Sequence, residues 1–116
     1  MRGDEKRVAS AFGDYLEAQG WSVRYEVDYC DVVATRGSET IYAEAKGLTA
    51  AVGLDVDTMF GQLLRRMTPE PRPGDQYAAV LPSKAKDAVL RVPERVRQSL
   101  RIRVFLVSSD NEVTEL

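Results

Sequence analysis

The chain has 116 residues, 44% apolar and 29% charged, the make-up of one globular domain with one core, residues 1–116. It has no histidine and one cysteine, Cys30. An internal disulfide and a Ser-His-Asp or Cys-His mechanism are thereby excluded, and a structural zinc site is disfavoured. Net charge is −2, but residues 1–60 hold 6 Lys/Arg against 11 Asp/Glu and residues 61–103 hold 10 against 4. A basic segment of this kind suits phosphate better than the total charge suggests, although solvated helix faces also carry such charge. No apolar run is long enough to span a bilayer, and the charged start "MRGDEKR" is unlike a secretory signal, so no membrane partner and a cytoplasmic location are expected.

In chain order, residues 4–19 are predicted helical. Val8, Ala11, Phe12, Tyr15 and Leu16 recur at helical spacing, Asp4 is the expected N-cap, and Gly20 falls where a left-handed C-cap belongs. "WSVRYEVD" (21–28) alternates as a strand, with Trp21, Val23, Tyr25 and Val27 on one face. "YCDVVAT" is a second, more apolar strand, with Cys30 expected as a buried small residue. "RGSE" makes a hairpin turn at Gly37 and Ser38, and residues 39–46 return as the third strand. A loop rich in small residues follows. Helical spacing of Val56, Met59, Phe60, Leu63, Leu64 and Met67 then predicts a helix over 55–67, with Asp55 and Asp57 at its positive end and Arg65 and Arg66 at its negative end. "TPEPRPG" is a loop, "QYAAVLP" a short buried strand, 83–100 helical with a break near Pro93, and "IRVFLVS" a further strand. The last residues form a short strand or fray. The order α-β-β-β-α-β-α-β predicts an α/β fold with a mixed sheet and helices on both faces.

Chemistry concentrates in "IYAEAKG". Period-two alternation puts Tyr42, Glu44 and Lys46 on one strand face and Ile41, Ala43 and Ala45 on the other. The hairpin brings Asp31 within reach of Glu44. Two adjoining carboxylates repel each other, and a divalent cation relieves the repulsion. With oxygen donors dominating, the cation expected is Mg²⁺ or Mn²⁺. Each residue also has a plainer reading: Asp31 as an edge charge, Glu44 with Lys46 as a surface ion pair, Tyr42 as packing, and Gln62 as a boundary residue of its helix. An unpartnered carboxylate in an apolar strand is costly, which favours function for Asp31. Gly61, inside the predicted helix, costs about 1 kcal/mol relative to alanine and suggests a close approach by backbone or substrate.

"YCDVVA" followed by "IYAEAKG" and "FGQLLRR" resembles the PD-(D/E)XK nuclease superfamily, over residues 4 to about 108. The resemblance implies a restriction-endonuclease-like fold and a metal-dependent nuclease hydrolysing phosphodiesters, with DNA (or RNA) as partner and a homodimer as assembly. It implies Asp31 and Glu44 as Mg²⁺ or Mn²⁺ ligands with the Ala45 carbonyl, Lys46 acting on the water or the transition state, and Gln62 as a supporting catalytic residue. Arg65, Arg66, Lys84 and Lys86 would track the nucleic-acid backbone. The chain departs from the family pattern at Cys30, where a proline is usual. Glu5 and Glu17 on the first helix do not fall where the family's helix glutamate is expected and are left outside the core site. The alternative is an inactive member of the fold, a regulatory subunit that binds nucleic acid or protein.

Overall fold

The computed structural model describes residues 3–27, 30–67 and 70–116. Met1, Arg2, Asp28, Tyr29, Thr68 and Pro69, and the side chain of Cys30, lie outside the described residues, although several fall within predicted elements. The elements are α1 (Gly3–Glu17), β1 (Ser22–Val27), β2 (Cys30–Arg36), β3 (Glu39–Ala45), α2 (Val52–Arg66) and β4 (Asp75–Pro82), followed by a 3-10 turn (Ser83–Ala85), α3 (Lys86–Val89), α4 (Glu94–Ser99), β5 (Ile102–Val107) and β6 (Val113–Glu115). This is an α/β fold, with a mixed six-stranded sheet flanked by helices. The strands lie in chain order across the sheet, β1 to β6. β1, β2 and β3 form an antiparallel meander, β3, β4 and β5 run parallel, and β6 returns antiparallel to β5. Among the described residues, no helix is long and apolar enough to cross a membrane.

The alternation read from the sequence sorts the core into two layers. Ile41, Ala43 and Ala45 of β3, with Val32 and Ala34 of β2, face α1, which contributes Val8, Phe12 and Leu16. The opposite sheet face is covered by Val56, Met59 and Leu63 of α2, with Ala85 and Val89 beyond β4. Tyr42 packs on this second side, its ring 5.8 Å from that of Tyr77. β2 and β3 are joined by a two-residue turn, Arg36 pairing with Glu39, and Gly37 takes the positive φ (+59°) that such tight hairpin turns require. That register fixes which side chains meet at the hairpin's far end.

Several local expectations are revised. Asp4 lies inside the first turn of α1, where it pairs with Arg7 at 3.1 Å, and is not the N-cap. Gly20 does adopt the left-handed conformation (φ +90°) just beyond α1. α2 starts at Val52, three residues earlier than predicted, because the Asp55 carboxylate is engaged by the preceding loop and does not initiate the helix. Residues 83–100 divide into three short helical pieces, and Pro93, which has no N–H to donate, is the N-cap of the last. The C-terminal residues form β6, held by Arg103 contacts of 2.8 Å to both carboxylate oxygens of Glu115.

Candidate active site

The last ladder pair between β2 and β3 is Val32 with Ala43. One step further along the same register, Asp31 lies opposite Glu44. Asp31 Oδ2 accepts a 2.8 Å hydrogen bond from the Ala45 N–H, which ties the carboxylate to the end of β3. Val32 and Ala43 face α1, so alternation sends Asp31 and Glu44 together to the α2 side of the sheet.

Glu44 is 3% exposed. Arg66, the last residue of α2, donates from Nε to Glu44 Oε1 at 2.8 Å. Burial pushes the Glu44 carboxyl up to about 7; the hydrogen bond from Arg66 opposes this rise, and the neighbouring charge of Asp31 adds to it. Burial and like charge thus outweigh the guanidinium. The carboxylate pair expected from the sequence is present, and an internal cation partly neutralises it.

Lys46 follows β3 directly, with its N–H bonded to the Val80 carbonyl at 3.0 Å. Its side chain lines an open cavity of ≈ 400 Å³ shared with Asp4, Glu5, Asp55 and Gln62. Gln62 lies one helical turn before Arg66, so α2 serves both the cavity and Glu44. Gly47 lets the start of α1 come close: an added Cβ there would lie 3.1 Å from the Glu5 backbone nitrogen. This approach brings Asp4 and Glu5 to the cavity wall. Asp55, also buried, accepts from the Thr49 N–H at 2.6 Å and from the Thr49 hydroxyl at 2.9 Å, shaping the loop between β3 and α2.

The remaining sequence candidates lie further out. Arg65 is exposed beside Arg66, while Arg66 turns inward to Glu44. Lys84 in the 3-10 turn and Lys86 at the start of α3 are exposed, on elements that pack against α2. Gly61 has open space around it within the chain, since an added Cβ would meet nothing within 4 Å. Sequence reasoning missed Arg66 as partner of Glu44, and Asp4, Glu5 and Asp55 as cavity residues. The available signal for Arg66 was its i+4 spacing from Gln62. No local pattern marked Glu5 or Asp55, because their positions depend on how α1 and the loop close over the strand end.

The donor set around Asp31 and Glu44 contains oxygen only, which fits a hard divalent cation such as Mg²⁺ or Mn²⁺. The Ala45 N–H points toward Asp31, and the N–H and C=O of one extended residue share an edge, so the Ala45 carbonyl is turned to the same side. Among the described residues, no three His, Cys, Asp or Glu side chains converge as a metal cluster. Any cation here would therefore rest on two side chains, a backbone carbonyl and water. No protein-family model matches the chain, and neither the curated proteins nor the solved structures contain a match to it.

Proposed function

We propose that this protein is a metal-dependent nuclease of the PD-(D/E)XK type, with the restriction-endonuclease-like arrangement of its α/β sheet, acting on phosphodiester bonds of DNA. The observation that carries this reading is the meeting of Asp31 and Glu44 at the end of the hairpin, beside a cavity lined by Lys46 and Gln62. Asp31 and Glu44 would supply carboxylate oxygens, and Ala45 its carbonyl, to a Mg²⁺ or Mn²⁺ ion. Such an ion, when bound, supplies an activated water and neutralises phosphoryl charge. Lys46, on the wall of this cavity, would take a proton from the attacking water or stabilise charge developing on phosphate oxygens. Gln62 orients Lys46, the water or the phosphate within the same cavity. Arg65, Lys84 and Lys86 follow the nucleic-acid backbone as point charges. A homodimer gives this small domain a wider footprint on DNA.

The test is a gel assay of purified protein on single-stranded, duplex, flapped and branched DNA, with Mn²⁺ and with chelator. Metal-dependent cleavage that is lost in Lys46→Ala supports the reading. Cleavage that persists in chelator, or in Lys46→Ala, counts against it.

A second reading, a non-catalytic binding module with the same fold, is favoured by the ion pair that already occupies Glu44. Calorimetric titration with millimolar Mg²⁺ or Mn²⁺ separates the two. Binding that is lost in Asp31→Ala belongs to the nuclease, and no binding belongs to the module.

A further inference from the structure

We infer that Arg66 is the resident counter-cation of the Asp31–Glu44 pair, and that an entering divalent cation displaces it and frees its guanidinium for a phosphate of the nucleic acid. This inference rests on the metal-site reading above and adds a partner exchange to it. The Arg66 side chain is 27% exposed and that of Glu44 5%, so the ion pair is closed on the carboxylate side and open on the arginine side. Arg66 is the last residue of α2, next to the exposed Arg65.

Charge balance gives the exchange its direction. With Glu44 ionised, as a carboxylate must be to hold a metal, Asp31, Glu44 and Arg66 together hold one negative charge in excess. A divalent cation added to the three turns this into one positive charge in excess, and a phosphodiester group, with its single negative charge, restores neutrality. Arginine suits the second role, because its planar fork matches phosphate oxygens in a bidentate manner. Metal and nucleic acid consequently strengthen each other's binding, and the coupling is reciprocal. Arg66 acts first as a brake on metal binding and then as a phosphate contact. This explains how an arginine from the basic segment of the chain comes to be directed inward while its neighbour Arg65 is exposed.

Calorimetric titration of the full chain with Mn²⁺ at pH 8, above the raised Glu44 value, and in the absence of DNA, compares wild type with Arg66→Gln. The variant should bind Mn²⁺ more tightly by roughly tenfold, the factor that loss of one competing charge-assisted hydrogen bond implies. Its affinity for a short duplex should fall over the same interval. Equal Mn²⁺ affinities would overturn the displacement and leave the metal site standing. Absence of Mn²⁺ binding in both chains would overturn the metal site and the displacement with it. Should Arg66→Gln fail to fold, the wild type decides through the ¹⁵N-resolved Nε–H signal of Arg66, assigned with Arg66→Lys. Saturating Mg²⁺ should shift that signal and speed its exchange with water. A signal unchanged while Mg²⁺ is bound would overturn the proposal.

Discussion

Arg66 Nε and Glu44 Oε1 stand 2.8 Å apart, joining the end of α2 to the penultimate residue of β3 across 22 positions of sequence. The pair lies on the sheet face where Asp31 also points, so Glu44 has a guanidinium on one side and a second carboxylate on the other. Removing one partner of a buried pair ordinarily costs several kcal/mol, because a charge is left without compensation. Glu44 escapes much of that cost, since its carboxyl, raised to about 7, can take up a proton instead.

Stability should therefore fall as pH rises from about 4.5 to about 7. Over that window folded Glu44 keeps a proton that the unfolded chain releases, so the native state binds more protons and loses ground as they become scarce. The loss attributable to this group is on the order of 3 kcal/mol. Melting temperatures at pH 5 and pH 8 measure it in metal-free buffer. Glu44→Gln should remove most of the slope, and an undiminished slope in that variant would assign it to other groups.

Asp31→Asn should stabilise the metal-free protein near neutral pH by about 1 kcal/mol, because it deletes the charge that repels Glu44. The amide oxygen can still accept from the Ala45 N–H, so the strand end remains tied. Denaturant titration gives the sign directly, and a destabilised Asp31→Asn chain would mean that the Ala45 contact outweighs the repulsion.

Lys46→Ala should lower cleavage by about 10²–10⁴-fold, the usual range for loss of a positioned proton-transfer group, while leaving the melting temperature within a few degrees. Lys46 lines a cavity and is outside both apolar layers, so its removal opens no hole in the core. A strongly destabilised variant with retained activity would reverse its assignment from chemistry to structure.

DNA affinity should decline steeply with salt despite the net charge of −2. Each phosphate neutralised contributes a slope of about −0.9 in log affinity against log salt. Arg65→Ala, Lys84→Ala and Lys86→Ala should each reduce the slope by up to about that amount, equally for all sequences. Slopes unchanged in the triple variant would place the nucleic acid elsewhere.

Gly61→Ala should stabilise the chain by about 1 kcal/mol, since the position is mid-helix and an added methyl meets open space. Gly74→Ala should do the reverse. Its φ is +89°, and an added Cβ would lie 2.5 Å from the Ser38 carbonyl oxygen. The two melting temperatures, compared side by side, check both signs.

What the sequence made legible follows from the range of the signal. The helical spacing of Val8, Phe12 and Leu16 and the alternation of Ile41, Ala43 and Ala45 are local patterns that build one layer of the core, and the spacing of Val56, Met59 and Leu63 builds the other. The nearness of Asp31 to Glu44 followed from hairpin arithmetic, which needs only the position of Gly37. The partnership of Arg66 with Glu44 needed the rotation and tilt of α2 on the sheet, which no local pattern records. The start of α2 was misplaced for a related reason. Asp55 looks like a helix-start residue, but Thr49 claims its carboxylate across the loop. β6 is not legible as strand or frayed end, because three residues carry too little periodicity and are held by a cross-strand pair to Arg103.

The hairpin that positions the two carboxylates also imposes an order on folding. Closure from the tight turn at Gly37 is local and fast, and each rung from Arg36–Glu39 to Val32–Ala43 follows cheaply. The next step forces two anions together with no counterion at hand, because Arg66 arrives only when α2 docks. The zipper should therefore stall one rung short, and the Ala45 amide, held by Asp31, should gain protection from hydrogen exchange later than amides near the turn. Pulse-labelling during refolding would show this lag at pH 8 and a shorter one at pH 4, below the ordinary Glu44 value of 4.5 that holds until α2 buries the carboxyl. A site built for a charged substrate thus leaves its mark on the protein's own assembly, as a pause that acid relieves.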